Sequence, residues 1–257
     1  MSTNESDMND AENSSLEARE AQALEKYGRL YRQAGQLTAK AQNTIAAIVS
    51  LAYPSQMTQA KGVCTNLMVR ISNELRVVRL LCDSGYPLQA YSPAAALYEA
   101  AWTVACIGDD ETEADKWWTH SDEKKSYDQV RDLTDRGLRK LGFAGEKHQA
   151  RFERDYFGKY RDLCMGKHIN PIFQRFQSVK ISPESVNFVF GPDLSAQGER
   201  QGLWVMTTGV SLVYPALWTF LCFHVPKTLH QIGHELYQAL EQEHLLIDSE
   251  FRNKYEP

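Results

Sequence analysis

Apolar residues recur along this chain at alternating steps of about three and four, the spacing that gathers side chains onto one stripe of an α-helix. The first run begins at Leu16 and carries Tyr27, Leu30, Ala34, Leu37, Ala41, Ile45 and Ile48. It predicts one long helix ending near Pro54. A second run, Cys64, Leu67, Ile71, Leu75, Val78 and Leu81, predicts another helix, closed by the turn signal Asp83-Ser84-Gly85 ahead of Pro87. Two long helices with a short Pro-containing link imply an antiparallel hairpin.

A third helix, 92–107, is rich in alanine and other small residues that permit close packing, with Pro93 suited to its first turn. The acidic run 109–115 leads through Trp117 and Trp118 into a charged amphipathic helix over 121–141, stopped at Gly142. Another helix, 146–168, ends before Asn170-Pro171, because a residue preceding proline avoids helical backbone. From 170 to 202 prolines and glycines predict a long irregular connection, with a short extended piece at 186–190. Residues 203–225 carry no charge, and an amphipathic helix then runs to about 247. The uncharged run is long enough for a bilayer, with Trp204 and Trp218 placed as interface residues, but Pro215, His224 and polar hydroxyls dilute it. The favoured reading is a central helix buried on all sides. The fold expected is an all-α helical bundle of long antiparallel helices with a long irregular loop before the last one.

Composition narrows the compartment and the partners. Over 257 residues, 43% are hydrophobic, an ordinary globular share, so 16–257 reads as a single helical domain after a disordered acidic tail at 1–15. That tail has no basic residue and no apolar core and is not a secretory signal. Five scattered cysteines without a CxxC pair argue against a disulfide framework or a zinc cage and fit a reducing cytoplasm. A net charge of −5 gives no global attraction to nucleic acid, so any RNA contact must be local.

Candidate chemistry concentrates between Arg161 and His168. Seven helical steps of about 100° return almost to the same azimuth, which puts both side chains on one face about two turns apart. An arginine and a histidine so placed suit phosphodiester cleavage. The imidazole can move a proton near neutral pH, while the guanidinium holds phosphate and its developing charge. At a helix C-terminus the dipole also favours a protonated His168. The spacing alone arises about once by accident in a chain with these residue counts, and Asp162 directly after the arginine narrows it. Lys159 and Lys167 are candidate phosphate contacts, with ordinary solvated lysines as the plainer reading.

Other clusters are weaker. His230 and His234 lie four apart with Glu235 beside and His224 nearby, a two-ligand face that lacks a third ligand, so no metal is assigned. Asp109, Asp110, Glu111, Glu113 and Asp115 are read as acids serving a helix N-terminus, and Trp117 and Trp118 as packing anchors. There is no Gly-rich phosphate loop, no GxSxG and no HExxH, and no cofactor is implied.

The Arg161-Asp162 step with His168 in a late helix of a helical bundle resembles the HEPN superfamily, whose nucleases carry an Arg-x4–6-His motif. More narrowly, LYEAAWTVACIGDD at 97–110 followed by KYRDLCMGKHINP at 159–171 is similar to a family of largely uncharacterised bacterial HEPN-like proteins. Those proteins have a helix bearing a glutamate, here Glu99, before a segment here represented by Tyr160, Cys164 and His168. Their members often carry an arginine one turn before the glutamate, where this chain has Ala95. The resemblance implies a homodimer that brings two Arg/His pairs together as a metal-independent endoribonuclease of toxin or phage-defence type. Arg161 and His168 would then be catalytic, Asp162 and Lys167 would bind substrate, RNA would be the substrate, and an antitoxin or defence-system protein a partner. The alternatives are a non-catalytic interaction or sensor module of the same fold and, less favoured, a membrane-associated protein.

Overall fold

The structure, a computed structural model, describes residues 15–120, 128–167, 179–181, 186–188 and 191–255. Its first helix starts where the acidic tail stops: the Ser15 hydroxyl accepts from the Ala18 N–H (3.2 Å) and satisfies one of the orphan donors of α1 (Leu16–Leu30). The single long helix expected here is two helices. Tyr31, with φ −92° and ψ 12°, separates α1 from α2 (Arg32–Leu51). The Tyr31 ring stacks on Tyr27 with centroids 4.8 Å apart, and its hydroxyl donates to the carbonyls of Gly198 and Glu199, so a distant contact holds the break.

The helix α3 (Gln59–Asp83) returns antiparallel to α2. Arg79 packs over Gly35, the Gln42 amide donates to the Ser72 carbonyl (3.0 Å), and Lys61 donates to the carbonyls of Ala52 and Ser55 at the hairpin end. The predicted stripes form the interior, with only Leu30 and Leu81 half-buried. The chain turns at Gly85, whose φ of +82° and 2.6 Å gap from an added Cβ to Pro192 both require glycine.

The small-residue helix α4 (Tyr91–Ile107) runs through the middle, buried over most of its length. The acidic run after it serves the start of the helix it precedes, as expected, and also the start of α3. Asp110 caps α5 (Glu111–Trp118) by accepting from the N–H groups of Thr112 and Glu113. The Glu111 carboxylate accepts from the N–H groups of Gln59 (3.0 Å) and Ala60 (3.3 Å) at the start of α3. Of the helix expected over 121–141, the described part is α6 (Val130–Lys140), and 121–127 lie outside the described residues. A continuous helical run follows: α7 (Gly145–Phe152), a π-helical stretch (Glu153–Tyr160) and α8 (Arg161–Lys167).

A small antiparallel hairpin, β1 (Val179–Ile181) with β2 (Val186–Phe188), lies in the predicted connection, and Val179 pairs with Phe188. The connection is shorter than expected because α9 (Ala196–His224) begins well before residue 203, capped by Ser195 accepting from Gly198 N–H (3.1 Å). Gly198 and Gly202, which suggested a loop, are helical and allow close approach instead. A Cβ on Gly202 would lie 2.4 Å from the Tyr31 hydroxyl oxygen, and one on Gly198 2.6 Å from the Asp193 carboxyl carbon. Among the described residues α9 is the one helix long and apolar enough to cross a membrane, and 83% of its apolar window is buried against the bundle. After a 3-10 turn, α10 (His230–Tyr255) runs back along α9, pairing Gly233 with Leu221, Tyr237 with Trp218 and His244 with Tyr214. The result is an all-α helical bundle. All five cysteines are unpaired.

Candidate functional site

The helix α8 lies on α4 through two contacts set by local sequence. Leu163 is fully buried, and Gly166 lets the backbone come so close to Tyr91 that a Cβ there would stand 2.3 Å from its ring. Tyr91 is held in turn by stacking on Trp204, 5.5 Å between centroids. This docking brings α4 and the helical run through α8 together at Glu99. The Tyr160 hydroxyl donates to the Glu99 carboxylate (2.9 Å), and the Lys167 ammonium is 3.5 Å from the same oxygen. The Tyr160 ring is sandwiched by Tyr98 (4.7 Å) and Tyr156 (5.7 Å). Ala95, one turn before Glu99, is fully buried, and Lys167 supplies the cation to Glu99 from the other helix.

The electrostatics around this cluster favour neutral or paired groups. Burial, reinforced by Cys164 and Glu99, pushes the Tyr160 hydroxyl far above the ordinary tyrosine range, so it stays protonated and donates. Burial also raises the Cys164 thiol, which disfavours a reactive thiolate. Asp162 is raised by burial, with the Arg161 charge partly opposing.

Arg161 is exposed, and its guanidinium makes no hydrogen bond or ion pair among the described residues. Lys167 is exposed at the rim of an open hollow of about 310 Å³ bordered by Gln89, Ser92 and Gly166. His168, the other half of the expected pair, lies outside the described residues. Lys159 does not face outward as a phosphate contact would. Its ammonium donates to Ser211 Oγ (3.0 Å) and is 3.5 Å from the buried Asp155 carboxylate, and burial lowers its pKa.

The second histidine pair is occupied otherwise. His230 Nε2 donates to the Val225 carbonyl (2.9 Å), and His234 packs edge-on to Trp218. No group of three or more metal-ligating side chains occurs among the described residues. His224 is buried against Phe220, and burial lowers its pKa. Trp117 packs against the core as expected, whereas Trp118 is 65% exposed.

Two features were not anticipated. Asp155, 3% exposed in the π-helical stretch, faces three cations: Arg151 Nε at 2.5 Å, Arg154 Nε at 3.3 Å and Lys159. Beside it, a pocket of about 320 Å³ opens between α4, α6, α7, α9 and α10, walled by Trp102, Phe143, Tyr214, Trp218 and Tyr237, with Arg151 as the one charged lining residue among the described residues. The available signal was the Tyr214/Trp218 aromatic pair one turn apart in the uncharged run 203–225. The other walls come from remote segments.

Comparison with protein-family models, with curated proteins and with solved structures finds no match to this chain.

Proposed function

We propose that this bundle is HEPN-like and that the outer end of α8 forms a metal-independent endoribonuclease site built on Arg161 and His168. The observation that carries the reading is Arg161: an exposed guanidinium without a protein partner among the described residues, on a helix locked to α4 through Glu99, Tyr160 and Lys167. An exposed guanidinium on a rigid support is suited to phosphate recognition. Lys167, bordering the open hollow, adds a second cation within the same short helix.

In this reading His168 moves the proton of the ribose 2′-hydroxyl or of the leaving 5′-oxygen, and Arg161 stabilises charge on the pentacovalent phosphate. Asp162 and Lys167 contact substrate, and Glu99 with Tyr160 act as positioning residues. Two copies of the chain would pair their sites, and a toxin or phage-defence role would bring a neutralising or activating protein partner.

Expression of the wild type in a bacterium should slow growth and fragment RNA, while His168→Ala at equal expression should do neither. Identical behaviour of the two would remove the proposal. A second reading, a non-catalytic interaction or sensor module of the same fold, draws on a different observation: the aromatic pocket does not include Arg161 or Lys167 in its lining.

A further inference from the structure

The pocket between α4, α6, α7, α9 and α10 has the make-up of a small-molecule site. Its volume of about 320 Å³ falls at the lower end of the range for such sites, which are mostly apolar with a few convergent polar groups. The walls brace one another. Tyr214 and Trp218 each meet the Tyr237 ring edge-on at 5.4 and 5.5 Å, and His244 stacks behind Tyr214 at 5.5 Å. The opening is therefore set by packed rings, and a planar apolar body can lie against them without reordering flexible side chains.

One polar group, Arg151, stands at this cavity with capacity to spare. Arg151 spends Nε on Asp155, its guanidinium carbon lies 5.6 Å over the Phe143 ring, and Nη1 and Nη2 make no hydrogen bond among the described residues. Asp155 is shared with Arg154 and Lys159, so three cations face one carboxylate and the charge on Arg151 is only partly neutralised. The Tyr214 hydroxyl is shut off from solvent, with no hydrogen-bond partner among the described residues, so Tyr214 meets the open cavity through its ring.

We propose that this pocket binds a planar aromatic monocarboxylate of one or two fused rings, its carboxylate on the Nη edge of Arg151 and its ring system between Trp102, Tyr214, Trp218 and Tyr237. A carboxylate matches the planar, two-donor edge of a guanidinium. A nucleotide fits less well, because the aromatic and aliphatic walls offer few partners for the polar edge of a base. The inference does not depend on the nuclease reading, since neither Arg161 nor Lys167 lines the pocket.

The test is calorimetric titration of the full chain with 2-naphthoate, its neutral isostere 2-naphthamide, and uridine 5′-monophosphate. The wild type should bind naphthoate at least tenfold more tightly than either of the others. Arg151→Gln, which leaves Asp155 with Arg154 and Lys159, should bring naphthoate down to the level of the amide. Leu141→Trp, which fills the pocket from its α6 edge and does not touch the Arg151–Asp155 pair, should abolish binding of both naphthalenes. The proposal is overturned if the wild type binds no naphthoate at millimolar concentration, if acid and amide bind equally, if the nucleotide binds more tightly, or if Leu141→Trp leaves binding unchanged.

Discussion

Replacing Gly166 by alanine separates the effect of helix propensity from that of docking. In an isolated helix the change stabilises by about 1 kcal/mol. Here the new Cβ would stand 2.3 Å from Tyr91 Cδ1, 2.4 Å from Cγ and 2.8 Å from Cβ, where ordinary carbon contacts are about 3.5–4 Å. The near end of a side chain cannot swing away, and the ring is 4% exposed and stacked on Trp204. The helix α8 must therefore lift by about 1 Å or more, which strains the Lys167 and Tyr160 contacts to Glu99. Overpacking of this kind costs about 1–3 kcal/mol, and the size of the collision places it at the upper end, for a net loss of about 2 kcal/mol after the propensity gain. Gly158 in the same helical run is the control, since a Cβ there meets nothing closer than the Glu153 carbonyl oxygen at 3.8 Å. Gly158→Ala should be neutral or slightly stabilising. Denaturant unfolding of both variants, with amide hydrogen exchange over 161–167, measures the difference. Equal stabilities, or a Gly166→Ala protein more stable than Gly158→Ala, would refute the docking of α8 on α4.

Three further outcomes follow from the same geometry. Tyr160→Phe leaves the Glu99 carboxylate without its hydroxyl donor and should cost about 1.5–3 kcal/mol; in a double-mutant cycle with Glu99→Gln the coupling should reach at least about 0.5 kcal/mol, and strict additivity would contradict the bond. Glu111→Ala removes the carboxylate that receives two N–H groups at the start of α3 and should destabilise by about 0.5–2 kcal/mol, read as a lower denaturation midpoint. Burial lowers the pKa values of His224, beside Lys61, Asp109 and Glu111, and of His244, beside Lys159 and Asp248, below the ordinary 6.5. The unfolded chain then binds protons more readily than the folded one, so the stability present above about pH 6.5 is lost as pH falls below it; thermal melts from pH 8 to 5.5 should show Tm dropping, and a flat profile would count against the buried neutral imidazoles.

Elements with one clean apolar stripe were legible in the sequence. The faces of α2 and α3, the buried character of α4 and α9, and the capping role of the acidic run all follow from local pattern and chemistry. What escaped was set by distant contacts. Tyr31 interrupts its helix while holding the start of α9, and Gly198 and Gly202 sit inside that helix where neighbouring side chains leave no room for a Cβ. The π-helical stretch Glu153–Tyr160 has no local sequence signal that separates it from an α-helix. At the candidate site, the meeting of Glu99 with Tyr160 joins residues 61 positions apart, and the inward turn of Lys159 depends on Ser211 and Asp155, which no local rule connects to it. The aromatic pocket gathers residues spread from 102 to 237, so its existence is a property of packing.

The central claim concerns chemistry at Arg161 and His168. If a 2′-hydroxyl attacks the adjacent phosphate without a metal, the products are a 2′,3′-cyclic phosphate and a 5′-hydroxyl. The direct measurement incubates purified full-length protein with end-labelled single-stranded RNA in excess EDTA and analyses the fragment ends. The account predicts cyclic-phosphate fragments from the wild type, with rates reduced at least a hundredfold in both His168→Ala and Arg161→Ala. RNA left intact by the wild type, or cut equally by all three proteins, would contradict it.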